Sequence, residues 1–192
     1  MSDFHDNFFV ITGAPYAGKT TLLQCLEDRQ FTIMAEAGHA IVQDQTVIGG
    51  KALPWEDRLT YAELMLNWDI RSYREAPGQG RPVLFDRGIP DIIGYLELNG
   101  LPVPAHFTNA ATRFRYHKKV FVAPYWEEIH NRDTTQKHTR DEARAAHDAT
   151  VRAYERLGYE LLPLPTTSLD QRIRFITIHL DGLKKSRTVS FA

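Results

Sequence analysis

The chain reads as an α/β protein built on a parallel sheet, on three observations. Short apolar runs alternate with longer helical patterns along all 192 residues, the mark of repeated strand–helix–strand units. The runs are apolar at consecutive positions, as strands buried on both faces must be. The first run passes through a glycine-bearing turn directly into a helical pattern.

Taken in order, Phe8, Phe9, Val10 and Ile11 give the first strand, which runs into the turn at Gly13. A helix begins near Gly18 and carries Leu22, Leu23 and Leu26 up to the charged cluster Glu27, Asp28, Arg29. Residues 31–35 make the second strand. After Glu36 a mostly helical insertion spans 36–80: an Ala/Ile/Val stretch to Ile48, a break at Gly49 and Gly50, then a helix opening at Pro54 and running to about Tyr73. Proline suits a helix start because the amide it removes has no partner there. In this helix Leu59, Ala62, Leu66, Ile70 and Tyr73 mark one apolar stripe, and Tyr61, Met65 and Trp68 a second, so it is covered on more than one side. Val83, Leu84 and Phe85 form the third strand, ending at Asp86. Val120, Phe121 and Val122 form the fourth. Tyr159, Leu161 and Leu162 form the fifth, after the helix stop at Gly158. A last helix over 169–183 carries Ile173, Ile176 and Leu180.

Composition narrows the partners. With 43% hydrophobic residues, 24% charged residues and a formal net charge of -1, the chain is globular and of a length for one domain. It has no basic field for nucleic acid, so any phosphate binding has to be local. The single Cys25 excludes a disulfide framework and a multi-cysteine zinc site, which fits a reducing compartment. Residues 1–6 lack the basic start and apolar stretch of a secretory signal, and no apolar run approaches the roughly 20 residues that span a bilayer. The expected location is the cytoplasm, without membrane contact.

The decisive segment is FFVITGAPYAGKTTLL. Gly13, Gly18, Lys19 and Thr20 satisfy GxxxxGK[ST] between a strand and a helix, the context in which that spacing has meaning. Residues Ala14, Pro15, Tyr16 and Ala17 complete the loop, and Thr21 follows on the helix. Such a loop turns its backbone N–H groups around a phosphate while the helix N-terminus adds positive potential. Lys19 then reaches the β- and γ-phosphates of a nucleoside triphosphate, and the Thr20 hydroxyl holds Mg²⁺.

Acids at the carboxyl ends of parallel strands face the ligand crevice. Asp86 ends the third strand and is a candidate Mg²⁺ ligand, while Arg87 beside it can clamp a phosphoryl group. Its other reading is half of an Asp–Arg ion pair capping the next helix. Glu36 ends the second strand and is the candidate to accept a proton from an acceptor hydroxyl or to orient water, against the plain role of a helix-start acid. Asp44, Asp57 and Asp91 read as helix-terminal charges.

Residues 124–147 form the lid candidate, with Arg132, Lys137, Arg140 and Arg144 as cations that could close on phosphates or serve only as a solvated face. His130, His138 and His147 lack the spacing of a zinc site. The run 113–119 mixes basic and aromatic residues, but one short stretch before a strand on a neutral chain points to a sheet rim rather than to RNA or DNA. Trp55, Tyr61 and Trp68 read first as packing and second as a stacking surface for a ring.

With these residues in place, the chain resembles the small P-loop kinase-like proteins labelled AAA-domain predicted ATPases, over nearly its whole length. The likeness rests on GAPYAGKT, MAEAGHAIVQDQ, LPWEDR, FDRGIPDIIGY, VFVAPYWEEI and YERLGYELLPLP with the helix bearing Arg172 and Phe175. More distantly it is similar to nucleoside and nucleotide kinases. The resemblance implies a P-loop NTPase three-layer sandwich, a five-stranded parallel sheet of order 2-3-1-4-5 with a lid after the fourth strand. It also implies that Glu36 matches the acid that takes the acceptor proton and that Asp86 and Arg87 match the acid–arginine pair near Mg²⁺. Where relatives carry acid-x-acid-Arg in the lid, this chain has Asp133-Thr134-Thr135-Gln136-Lys137, so the lid cation is Lys137 or Arg140, or is missing.

The function expected from these residues is an ATP-dependent, Mg²⁺-assisted kinase of a small molecule such as a nucleoside or nucleotide. An ATPase or nucleotide-dependent switch acting on a protein partner is the alternative.

Overall fold

A computed structural model describes residues 3–78, 80–126 and 139–188. Its strands are β1 (Asp3–Phe4), β2 (Phe8–Gly13), β3 (Thr32–Met34), β4 (Val83–Asp86), β5 (Phe114–Arg115), β6 (Lys119–Ala123) and β7 (Glu160–Pro163). The helices among the described residues are α1 (Lys19–Glu27), α2 (Ala37–Ile48), α3 (Arg58–Glu75), α4 (Ile89–Leu98), α5 (Ala105–Arg113), α6 (Arg140–Arg156) and α7 (Leu169–Thr188).

The main sheet has the order β3-β4-β2-β6-β7, and every pairing in it is parallel. Counting only its own strands in chain order, this is 2-3-1-4-5. The central strand β2 pairs Ile11 with Asp86 on one side and with Phe121 on the other, so Gly13, Asp86 and Ala123 finish at one edge. Side chains alternate across a strand. Phe8 and Val10 accordingly enter a core shared with α3, α4, α5 and α6, while Phe9 and Ile11 enter a second core with α1 and α7. Helices on both faces of the sheet make the three layers, and fully burying each such aromatic is worth about 1.5–3 kcal/mol.

Several expectations shift in detail. α3 starts at Arg58 rather than at Pro54, because Asp57 is its N-cap: Oδ1 accepts from Thr60 N at 3.0 Å and Oδ2 from Thr60 Oγ1 at 2.7 Å. The second strand loses Phe31, whose amide instead closes the end of α1 on Leu26 O at 3.1 Å. The last helix runs on to Thr188. A separate parallel ribbon joins β1 to β5, and strands of two residues carry no periodic signal that could announce them. Within the basic–aromatic run, Phe114 and Tyr116 are buried, and the Arg115 guanidinium stacks over Tyr159 at 4.0 Å. Among the described residues no helix is long and apolar enough to cross a membrane.

Candidate functional site

The turn from β2 into α1 is bent as anion binding requires. Gly13 has φ 123° and Gly18 φ 72°, both in the region that glycine tolerates, and Tyr16 joins them at φ 56°. A side chain at Gly13 would put its Cβ 2.0 Å from Ala123 O, and the amide of Ala14 donates to that oxygen at 3.1 Å. Ala14 and Ala17 are buried beneath the loop, and Pro15 and Tyr16 are half-buried. Thr20 and Thr21 are exposed on the first turn of α1.

Lys19 is 8% exposed and folds back over the loop, donating to Ala14 O at 2.7 Å and to Gly13 O at 3.3 Å. Burial first, then the neighbouring Arg87 charge, lowers its pKa to about 7, against the raising effects of Asp86, Glu36 and Asp91. A buried ammonium held only by carbonyls gains from an anionic partner, and a polyphosphate supplies one. Asp86 Oδ1 is buried with no hydrogen-bond partner among the described residues, and burial lifts this carboxyl to about 6 with Arg87 opposing. An orphaned carboxylate oxygen at the edge of the loop suits a divalent cation. The donor set therefore fits Mg²⁺ on Thr20 and Asp86.

Arg87 is the pivot of the charge cluster. It sits at φ 69°, a left-handed conformation uncommon for a non-glycine residue, with its amide bonded to Ile11 O at 3.1 Å. Its side chain lies 3.4 Å from Glu36 Oε1 and 3.1 Å from Asp91 Oδ1, and donates to Gly13 O at 3.3 Å. Burial works against the charged guanidinium, but Glu36, Asp91 and Asp86 more than offset it and raise its pKa. Glu36 is the N-cap residue of α2 yet makes no capping bond with its side chain, which turns to Arg87 instead.

Asp91 does more than end a helix. It caps α4 by accepting from Gly88 N at 3.0 Å, and it also accepts from Arg87, from the Thr12 hydroxyl and, at 2.6 Å, from the Tyr154 hydroxyl on α6. All of its acceptor capacity is used, so it holds the arginine in place. The readable signal was the spacing of four residues between Arg87 and Asp91 on a helix start.

A cleft of about 730 Å³ runs from Gly13 and Pro15 of the loop, past Glu36, Asp86 and Arg87, to the helical wall. Tyr61, Met65 and Asp69 line it from α3, and Ile92, Tyr95 and Leu98 from α4. Trp55 also borders the cleft and is 63% exposed, so it stands at the surface rather than in the core. Tyr61 is buried and faces the cleft, whereas Trp68 is exposed and does not line it. A methyl group on Gly38 would lie 2.5 Å from Tyr61 Oη and 3.2 Å from Glu36 Oε1, so both oxygens lie over this glycine.

Of the lid candidates, Arg132 and Lys137, with His130 and His138, lie outside the described residues. Arg140 opens α6 behind the Thr139 cap, and Arg144 stacks over the Tyr125 ring at 4.9 Å. On α6, burial holds the His147 imidazole below its ordinary pKa, with Asp148 opposing and the Lys19 charge adding to the lowering. From the other flank, the buried Arg172 of α7 donates to Ala17 O of the loop at 3.0 Å. Sequence periodicity did not single out the bond from Arg172.

No curated protein matches the chain in sequence. Solved structures match it along nearly its full length. Deoxyadenosine kinase from M. mycoides, with dCMP and dCDP bound, aligns with TM-score 0.64 at 14% identity over 91% of this chain and 99% of that one. Thymidylate kinase from Candida albicans gives 0.63 at 12% identity over 94% and 93%, and thymidylate kinase from Ehrlichia chaffeensis 0.63 at 13% over 90% and 97%. At such identities the likeness speaks for the fold, which is that of the P-loop nucleoside and nucleotide kinases. The sequence profile of the AAA domain matches residues 8–172, a span that takes in the phosphate loop, Glu36, the Asp86–Arg87 pair and Arg172, and the chain belongs to that family.

Proposed function

We propose that the protein is an ATP-dependent kinase of a small molecule. The observation that carries this reading is the continuity of the cleft: the phosphate loop at one end and an aromatic-walled pocket at the other, with Glu36 between them. A hydrolase has no need of a pocket that size beyond its nucleotide. The kinase fold of the neighbouring structures supports the same class.

In this reading the loop amides and Lys19 hold the triphosphate, and Mg²⁺ on Thr20 and Asp86 would neutralise developing charge on the phosphate oxygens. Glu36 accepts the proton of the acceptor hydroxyl as that oxygen bonds to the γ-phosphorus. The bond from phosphorus to the β–γ bridging oxygen breaks and ADP departs. Arg87 lies between Glu36 and the loop, where its fork can steady the phosphoryl group in transfer. Catalysis is then positioning and fixed charge.

The test is to incubate purified protein with Mg-ATP, alone and with a panel of nucleosides, nucleotides and sugars, following ADP and phosphorylated product together. Acceptor-dependent ADP formation that disappears in Lys19→Ala and Glu36→Gln is the expected result. Phosphate release indifferent to every acceptor and to Glu36→Gln would replace the kinase with the ATPase or switch reading.

A further inference from the structure

The acceptor end of the cleft carries one acid that the transfer chemistry leaves unused. Five carboxylates border the cavity: Glu36, Asp69, Asp86, Asp91 and Glu142, the last of which accepts from Thr139 N at 2.7 Å in the cap of α6. Glu36 and Asp91 share Arg87, and Asp91 is further satisfied by three other donors. Asp86 has its orphaned oxygen at the loop, where a divalent cation fits. Asp69 has no hydrogen bond or ion pair with any described residue. Its position is set by α3: Tyr61, Met65 and Asp69 recur every four residues and so share one face, and that face lines the cleft.

Apart from Arg58, the wall that α3 and α4 give this part of the cleft is mostly aromatic and apolar, while the charges of Asp91, Glu36, Arg87 and Asp86 reach Asp69. The rings of Tyr61 and Tyr95 meet edge to face at 5.7 Å, and Met65 and Ile92 fill the wall between. Tyr95 Oη is buried without a partner among the described residues, a second unspent polar atom on the same wall. An unpaired carboxyl in a cleft also lined by rings suits a cation, whose charge would favour the ionised carboxylate while the ring quadrupoles attract it. Arg58, which lines the cleft from the start of α3 and whose charge acts on Tyr95, is the cation of that wall, and Asp69 stands about three turns further along the helix.

We infer that Asp69 pairs with a positive nitrogen on the acceptor, so that the pocket selects a hydroxylated organic cation whose hydroxyl reaches Glu36 while its charged end lies against Asp69 and the Tyr61–Tyr95 wall. The inference rests on the kinase reading for the fate of the hydroxyl, but the binding preference stands without turnover. The carboxyl is held well above its ordinary pKa, by burial first and then by Asp91 and Glu36, which is what an acid awaiting a counter-charge shows.

Equilibrium binding by calorimetry, with and without Mg²⁺ and a non-hydrolysable ATP analogue, tests this on matched pairs differing in charge: glucosamine against glucose, and N1-methyladenosine against adenosine. The cation of at least one pair is expected to bind at least tenfold more tightly than its neutral partner. Asp69→Asn should erase that preference and Asp69→Glu should keep part of it, with thermal melts confirming that both variants fold. Equal binding within both pairs, no cation bound at all, or a preference that survives Asp69→Asn overturns the inference. A product assay run in parallel separates the two readings: a cation preference without phosphorylated product sinks the kinase and leaves the cation site standing.

Discussion

The Tyr154 hydroxyl of α6 donates to Asp91 Oδ2 at 2.6 Å, so the helix that takes in the end of the lid candidate is tied to the acid that holds Arg87. Both partners are buried, and burial together with Asp91 lifts the phenol well above its ordinary pKa, so it stays a donor. Tyr154→Phe leaves Asp91 one donor short and is expected to destabilise the protein by about 1–2 kcal/mol. Asp91→Ala strips Arg87 of a buried partner and should cost about 3–5 kcal/mol. Urea unfolding midpoints of the two variants give the comparison, and equal midpoints would contradict the hub role of Asp91.

Glu36 makes no helix-capping bond with its side chain, which pairs with Arg87, and a glutamine in its place keeps an oxygen to accept from Arg87 while losing the carboxylate that takes a proton. Glu36→Gln is expected to lower acceptor phosphorylation by about 10²–10⁴-fold while nucleotide affinity holds within a factor of a few. Single-turnover product formation beside direct nucleotide titration separates the two quantities.

Lys19 is a buried cation beside another buried cation, an arrangement that costs stability in the absence of phosphate. Lys19→Met should leave the melting temperature of the free protein equal or higher, while the rise in melting temperature on adding Mg-ATP disappears. A free-protein melting temperature that falls by many degrees would mean that the ammonium is structural.

The raised pKa of Asp69 makes a stability prediction of fixed sign. Facing it are Asp91, Glu36 and Asp86, which raise it after burial, and Arg87, which lowers it; the Tyr116 hydroxyl also feels its charge. The folded protein keeps the Asp69 proton above about pH 4, where the unfolded chain has released it, so stability drains away as pH rises toward the raised value. Asp69→Asn is expected to melt higher than the parent at neutral pH, by an amount that shrinks as the pH is lowered to about 4. A pH series of thermal melts reads this directly, and a variant advantage that grows toward acid would reverse the sign.

Gly38→Ala puts a methyl group 2.5 Å from Tyr61 Oη, the tip of a side chain that can swing away. Alanine in a helix gains about 0.5–1 kcal/mol over glycine, so fold stability should hardly change. The displaced phenol intrudes on the cleft instead, and the KM for the acceptor is expected to rise with the KM for ATP unaltered. Steady-state kinetics in both substrates checks the split.

Much of this was legible in the chain and some was not, for identifiable reasons. The runs of β2, β4 and β6 are apolar on consecutive positions because both faces are covered, whereas the edge strands β3 and β7 are half-buried or exposed, and the loop spacing is dictated by backbone that must wrap a phosphate; the inner strands and the loop leave signals in a few adjacent residues. Asp86, Arg87 and Glu36 were found because strand ends are placed by the strands themselves. Asp91 passed for a cap, and it is one; that it also receives Thr12 and Tyr154 depends on two elements far away in sequence. Asp69 was hidden by a stripe drawn from apolar residues only, although it stands four residues beyond Met65 on the same face. Arg172 reaches the loop through a long-range contact that no local pattern encodes.

The register of β2 also bears on how the protein comes to be made. Gly13 is held against Ala123, and its strand is flanked by partners that begin at Val83 and Lys119. A chain emerging from synthesis thus displays its glycine loop long before the backbone that shapes it exists. Nucleotide can stabilise only the finished sheet, since the pairings that build its cradle are the slow, non-local ones. Mg-ATP should therefore slow unfolding of the native protein without hastening its refolding.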